Sequence, residues 1–535
     1  MSLTIFPMSF AFLAGGLMAA AVLWFVVAAV SSKGRMSGGL PTLPLIGNMH
    51  QIPRAGIHLR FTEWAQKYGP ILPIRIGRGT MIVVTSPLHA VQILDKQAAN
   101  TSHRPPSYIL GDLVFRGDHP MFMDADERWK LRRKLYFQLV NEARCNSEHV
   151  RLVEAETTQL LRDICLEPDA LMLHPGRLSN SIIMSLVFGI RTPRYDTSHY
   201  LELQRVVTEM SGLGEIGASP PVDWLPVLKY VPELFWRNWR TRAASLRKRI
   251  LNLYGPLTER VIERRKNEIG HHGSFLDGVL DQQEKLKLTR TEIEIMCGNL
   301  LEGGTDTMAT TILVFCQAMA TYPHVQEEAQ TEMDAVLSDA ELPTWSDREK
   351  LPYVTMIVKE LLRWRPPAPG SFPHALAKDA EINGTKFPKA TALVLNVWGI
   401  HHDPTRYSNP SLFDPSRFAH QPHPASVYAN SQDPSKRDHF GYGIGRRICP
   451  GIHLAERSLF LAVARMLWGL TIQLRRDEKG TPVPVDVAPA TAYSDGFLNQ
   501  CRPFQVDIRP RGEKRREVVF TAAAKAEVDV FAKYA

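Results

Sequence analysis

From Ser2 to Ser32 no residue carries a charge, and Thr4 to Val30 is almost wholly apolar, long enough to span a bilayer. The first charges, Lys33 and Arg35, follow this run instead of preceding it, the reverse of a cleaved signal peptide. The pattern predicts a retained anchor over 1–32, with the body of the chain on the cytosolic side. Gly38, Gly39, Pro41 and Pro44 make the next stretch, 33–53, a stiff and turn-rich hinge. A helix is expected from Leu59 to Tyr68, stopped by Gly69 and Pro70. The apolar runs Ile71 to Ile76 and Met81 to Thr85, parted by Gly77-Arg78-Gly79-Thr80, read as a hairpin. A loop rich in Pro, Gly and aromatics covers 101–123, and loops of that length tend to be functional.

Asp126 to Leu139 reads as a helix, and helical patterning continues to about Lys266 with a break near Gly212 to Pro221. Trp224 to Trp236 is unusually aromatic; it reads as ordinary core, with a surface that dips into a bilayer as the alternative. Thr289 and Thr291 each stand three before a Glu, a capping-box signature, and open an apolar helix that runs to Thr321 before Pro323. Ser346 with Glu349 suggests another capped helix through Glu360-Leu-Leu-Arg363. Asn383-Gly384 marks a hairpin, and Ile452 to about Trp468 is an amphipathic run. Arg509 to Glu517 is mostly charged, so 511–535 reads as a poorly ordered tail. No internal repeat and no break in composition appears along the chain.

Composition narrows the function. The chain has 535 residues and a net charge of +8, with its basic residues mixed among acids, and no nucleic-acid reader pattern appears. Six cysteines, Cys145, Cys165, Cys297, Cys316, Cys449 and Cys501, lie far apart, which argues against a disulfide framework and for a domain in reducing cytosol. His401-His402 lacks spaced partners for a metal and reads as a satisfied or exposed pair.

The chemistry concentrates at Tyr442-Gly443-Ile-Gly445-Arg-Arg447-Ile-Cys449-Pro450-Gly451. A thiol just before a helix sees free N–H groups and the positive end of the dipole, which favour a thiolate. A lone Cys is ordinarily a small buried hydrophobe. Here glycines allow a close backbone approach and Arg447 stands two residues from the thiol, ready for an anion. Farther up the chain, Gly303-Gly304-Thr305-Asp306-Thr307 sits inside an apolar helix, where each Gly costs about 1 kcal/mol against Ala. Something needs that space, and an acid beside an alcohol could carry protons into an apolar cavity.

Together these segments resemble the cytochrome P450 family over roughly residues 40 to 510, and the resemblance implies a mainly α fold with small β-sheets, as one catalytic domain over 54–510. The resemblance implies that Cys449 is the axial ligand of haem b, within a cradle of Tyr442, Gly443, Arg447 and Gly451. Tyr442 departs from the family, which usually has Phe there. Trp129 and Arg133 match a Trp-x-x-x-Arg that holds a propionate, and His374 lies where a further propionate donor often stands. Asp306 and Thr307 match the pair that relays protons and steadies dioxygen. Glu360, Arg363 and Arg417 match a structural network whose truncation, if it is buried, costs about 3–5 kcal/mol. The loop 101–123 would cap the substrate cavity, and Phe372, Phe497 and Leu498 would line it. Arg128, Lys130, Arg132 and Lys134 read as a solvated face, or by resemblance as a docking surface for an acidic electron donor.

The implied reaction inserts one oxygen atom from O2 into an apolar small molecule, with electrons from NADPH through a reductase, and a small haem protein as a further possible donor. Residues Gly445 to Arg457 look most like fungal microsomal members, which points to secondary metabolism and to a single-pass protein of the endoplasmic reticulum membrane. The alternatives are oxidative ring formation, hydroxylation of aromatic compounds in catabolism, a rearrangement or dehydration that uses no O2, and a non-catalytic haem binder or gas sensor. The intact Asp306-Thr307 pair argues against the O2-independent reading.

Overall fold

A computed structural model describes residues 39–534 except 216, 268 and 269, together with 15, 16, 18–20 and 22 near the N-terminus. The expected anchor lies almost entirely outside the described residues, among which no helix is long and apolar enough to cross a membrane.

The first half of the chain alternates a small sheet with long helices. Helix α1 (Ile57–Tyr68) ends at Gly69 and leads into the hairpin β1 (Ile71–Ile76) and β2 (Gly79–Val84). Then come α2 (Glu127–Val140), α3 (Val150–Leu166), α4 (His174–Phe188), α5 (Ser198–Gly214) and α6 (Trp239–Lys266). Asp126 caps α2 through the Trp129 N–H at 2.9 Å. Helix α7 (Arg290–Thr321) begins at a complete capping box, in which Thr289 and Glu292 satisfy each other's backbone N–H.

The second half surrounds α7. It comprises α8 (Pro323–Val336), α9 (Pro352–Trp364), β3 (His374–Ala375), the hairpin β4 (Ala380–Ile382) and β5 (Thr385–Phe387), β6 (Ala392–Leu395), α10 (Ile452–Gly469), β7 (Leu470–Leu474), β8 (Val506–Pro510) and α11 (Glu513–Asp529). Strand β6 pairs parallel to β2 and antiparallel to β3, giving a four-stranded sheet in the order β1-β2-β6-β3. Asn383 and Gly384, at φ 49° and 74°, turn the β4–β5 hairpin. Helix α7 lies in the middle and packs most extensively on α4, then on α10 and α6. The fold is mainly helical with small sheets.

Several local expectations are corrected. The cap near 346 belongs to Thr344 and Asp347, which open a short 3-10 turn, and α9 starts at Pro352. Helix α10 is buried on almost every side, so its run is a core helix and not an amphipathic one; Pro450 stands before its N-cap, Gly451. The segment Trp224 to Trp236 is not ordinary core. Prolines and two left-handed residues, Arg237 and Asn238, limit it to short 3-10 turns, and Val227, Tyr230, Leu234 and Phe235 are 69 to 88% exposed.

The expected loose tail is likewise replaced by α11, which packs on α3. Val519, Ala523, Ala526 and Phe531 are buried, and Arg511, Lys514 and Arg515 pair with Asp334 and Asp339. Its charges are anchors to the body.

Candidate active site

The loop before α10 is shaped by glycines. Gly445 takes φ +66°, and a Cβ there would stand 2.2 Å from the Leu94 carbonyl oxygen, so no other residue fits. Gly443 turns at φ +78°. The Cys449 N–H donates to the Tyr442 carbonyl at 2.8 Å, closing the loop around the thiol. Burial pushes the Cys449 thiol up, while the Gly451 N–H and Arg133 act in the opposite direction. Cys449 is partly accessible, as are Arg447, Ile448, Pro450 and Gly451 around it.

Around this thiol the structure gathers Trp129, Arg133, Arg447 and His374. Arg133 donates to the Ile448 carbonyl, next to Cys449, and its Nε is buried without a partner. Arg447 lies 4.1 Å over the Trp129 ring and donates to the carbonyls of Ser102, Pro120 and Met123. His374 bonds the Thr101 carbonyl through Nδ1 at 2.8 Å. Burial, with Arg104 and Arg447 nearby, holds its imidazole down to about 3.

Sequence reasoning missed Arg104. Its guanidinium donates to the carbonyls of Met121, Phe372 and Pro373, and it presses electrostatically on Arg133 and Arg447. Burial and the Arg133 charge hold Arg447 down to about 9, and burial with the charges of Arg447 and Arg133 pushes Arg104 well below the usual range. None of the three arginines is in an ion pair among the described residues, and Asp124 in the same loop pairs with His103 at 2.6 Å. Three crowded, desolvated guanidiniums thus stand near the thiol without a carboxylate in ion-pair contact among the described residues. The two propionates of a haem are anions of the kind such forks bind, so these residues fit the group.

The glycine pair in α7 has two separate uses. A Cβ on Gly304 would stand 2.6 Å from Ile183, so that glycine lets α4 approach. A Cβ on Gly303 would meet nothing within 4 Å, so that glycine opens the helix onto free space. The Thr307 hydroxyl donates back to the Gly303 carbonyl at 2.9 Å. Asp306 is only 5% exposed; it accepts from Gln204 and from Gln500, each at 2.9 Å, and burial raises its pKa against those two bonds. No hydrogen bond joins Asp306 to Thr307.

One turn earlier, Glu302 accepts from His119 Nε2 at 2.8 Å and from the Tyr254 hydroxyl at 2.7 Å, all three buried. The Met121 N–H donates to His119 Nδ1, which leaves the ring proton on Nε2. This link fastens the loop over 101–123 to α7; the glutamate beside the glycine pair was its one sequence signal.

Phe372, half-buried, and Phe497, exposed, lie against each other, and Leu498 follows half-buried in the same loop as Phe497. Tyr442 packs beside His439, and its hydroxyl is buried without a partner. Glu360, Arg363 and Arg417 form the expected buried cluster. Arg363 grips both Glu360 oxygens at 2.6 and 2.7 Å and donates to the carbonyls of His401, Pro410 and Leu412, while Arg417 approaches Glu360 at 3.4 Å. The Phe440 N–H donates to His401 Nε2, so that ring helps hold the backbone leading into the Cys449 loop.

The basic face of α2 divides. Arg132 is buried on Glu292 at 2.6 Å and Arg128 pairs with Asp118 and Glu292, which leaves Lys130 and Lys134 outward. A docking surface built on all four residues is therefore corrected: two of them fasten α2 to the start of α7.

A thiol in a glycine-shaped loop, faced by unpaired guanidiniums and by a long helix opened at one glycine, defines a haem-thiolate protein. The chain belongs to the cytochrome P450 family, whose model, described as Cytochrome P450, matches residues 37–490. It is 69% identical to the cytochrome P450 monooxygenase anuE of Penicillium roqueforti over 476 residues, 89% of this chain and 97% of that one. It is 45% identical to the monooxygenase macC of Penicillium terrestre over 94% of each chain. It is also 41% identical to the monooxygenase patH of Aspergillus clavatus over 97% of this chain and 98% of that protein. The chain is accordingly a haem-dependent monooxygenase.

Proposed function

We propose that the protein inserts one oxygen atom of O2 into an apolar small molecule of fungal secondary metabolism, the second atom leaving as water, for which NADPH supplies two electrons and one proton and solvent the other proton. The observation that carries this reading is the pairing of a thiol and three unpaired arginines with Asp306 and Thr307 on a helix opened at Gly303. Bound haem would supply the iron that activates O2, and its thiolate ligand would favour O–O cleavage. Cys449 would hold the iron, and Trp129, Arg104, Arg133, Arg447 and His374 would hold the rim. Thr307 would present its hydroxyl at the opening beside Gly303, and Asp306 would bring protons to it. Phe372, Phe497 and Leu498 would shape the apolar end of the cavity.

The electron donor would be an NADPH-dependent reductase. Membership in the fungal branch is supported by relatives from Penicillium and Aspergillus at 41 to 69% identity. We infer a single-pass position in the endoplasmic reticulum membrane from the uncharged run ahead of Lys33 and Arg35, with the exposed Val227, Tyr230, Leu234 and Phe235 as a second apolar contact.

The test is consumption of oxygen and NADPH by the purified protein with a reductase, against extracts of the source organism, with product masses read out. A product heavier by one oxygen, formed in step with NADPH, is expected. NADPH-independent turnover, or a product of unchanged mass, would contradict the reading.

A further inference from the structure

Asp306 is placed as a proton donor, yet both of its oxygens are already engaged. Oδ1 accepts from Nε2 of Gln204, on α5, and Oδ2 accepts from Nε2 of Gln500, on the loop over 493–501. The acid is buried and the two amides are half-buried, so the glutamines form the outer layer around the carboxylate. An amide donates hydrogen bonds but does not readily pass a proton on, so this layer separates the acid from solvent.

The loop that carries Gln500 is a tied unit. Tyr493 and Cys501 bridge its base, the Ser494 N–H donates to the Gln500 carbonyl at 2.8 Å, and the Ser494 hydroxyl donates to Leu498 at 2.8 Å. Its tip, Phe497, lies on Phe372. One rigid loop therefore carries both a cavity aromatic and one of the two amides on the acid.

Other charges near Asp306 are engaged elsewhere. Tyr200, also on α5, faces it as a neutral phenol. On α4, Arg177 is bound to Glu156, while Asn180 bonds Thr305 at 3.2 Å. Asp495 on the loop pairs with Arg502 at 3.1 Å. On α7 itself, Glu302 is taken by His119 and Tyr254.

We propose that Gln204 and Gln500 are positioning residues that latch the Asp306 carboxylate in its ionised form, and that one of these bonds must open before Asp306 can take up and deliver a proton. The proposal rests on the reading of Asp306 as the proton donor. Two N–H bonds to the charged form favour that form, so losing either raises the pKa of a carboxyl that burial already raises. Because a donor acts from its protonated state, turnover falls as pH rises through that pKa. Variants without an amide donor shift this fall to higher pH.

The test uses the haem-loaded full chain and the near-isosteric variants Gln204→Met and Gln500→Met, with their double variant and Asp306→Asn. Difference infrared titration reads the protonated carboxyl stretch of Asp306 without turnover, and the Soret band of the reduced carbon monoxide complex checks that each variant is folded. The band is expected to vanish in Asp306→Asn. Its midpoint, and the alkaline fall of turnover, should rise by about one pH unit in each Met variant and further in the double variant. A band and fall that disappear in Asp306→Asn but stay in place in the double variant would overturn the latch alone. An alkaline fall that persists in Asp306→Asn would overturn the proton-donor reading, and the latch with it.

Discussion

At the residue scale, Thr307 shows how little geometry separates a working hydroxyl from an idle one. It donates back to the Gly303 carbonyl, at the point where the helix opens onto free space. Thr307→Ala removes the side-chain hydroxyl bonded to Gly303 at that opening while leaving the arginine rim and Cys449 untouched. Haem content should be unchanged, and product formation should fall by about tenfold to 100-fold, within reach of what positioned proton transfer contributes. NADPH consumption should continue with hydrogen peroxide as its product, measured by peroxide assay. Tight coupling of NADPH to product in this variant would show that Thr307 does not manage protons.

The same scale shows what the sequence disclosed and what it hid. Cys449, Arg447, Gly445 and the Gly303-Gly304 pair were legible because each has a local cost or a fixed spacing that only a site explains. Arg104, Gln204, Gln500 and His119 were not, because each acts through bonds that span more than 100 residues of chain. An isolated Arg or Gln in a helix or loop has no periodicity to betray it. Tyr442 was legible as an aromatic, but not that its hydroxyl would lie buried without a partner.

At the element scale, the start of α7 depends on Glu292. It completes the capping box with Thr289 and binds Arg132 and Arg128 of α2. Burial alone would raise this carboxyl, but the Thr289 N–H, Arg132, the Thr289 hydroxyl and Arg128 together hold it down to about 2. A depressed carboxyl stabilises the fold above its unfolded value, near 4.5, and loses that contribution as pH falls toward about 2. Glu292→Gln should therefore cost roughly 1 kcal/mol at pH 7, of the order of a lost cap. The gap between variant and parent in denaturant unfolding should narrow below about pH 4.5. A gap of equal size at pH 7 and pH 3 would contradict this account of the capping box.

Elements with strong local signals matched closely: the predicted end of α7 at Thr321, before Pro323, and the hairpin at Asn383-Gly384 both stand. Elements whose character depends on neighbours did not. The 224–236 segment looked like core because it is aromatic, yet its prolines keep it from forming a face that could pack. Helix α11 looked like a tail because it is charged, although Val519, Ala523 and Ala526 fall on one helical face and its cations meet acids on other elements.

At the scale of the whole molecule, the described body exposes Val227, Tyr230, Leu234 and Phe235 within one short segment, and the uncharged run lies ahead of residue 33. If both touch lipid, removing residues 2–32 should release most of the protein from sedimented membranes, with the remainder held by that segment. Retention equal to the full chain would show that the N-terminal run is not the main anchor. Release would leave the haem-binding body intact, because the packed core of the described body begins at Leu40, beyond the deleted run.

The central claim is that Cys449, through its thiolate, holds a haem within the ring of Arg104, Arg133, Arg447, Trp129 and His374. The most direct measurement is the absorption spectrum of the reduced carbon monoxide complex, for the parent chain and for Cys449→Ala purified under the same conditions. The account predicts a red-shifted Soret band in the parent that is abolished in the variant. A band unchanged by the substitution would mean that Cys449 is not the axial ligand, and would contradict it.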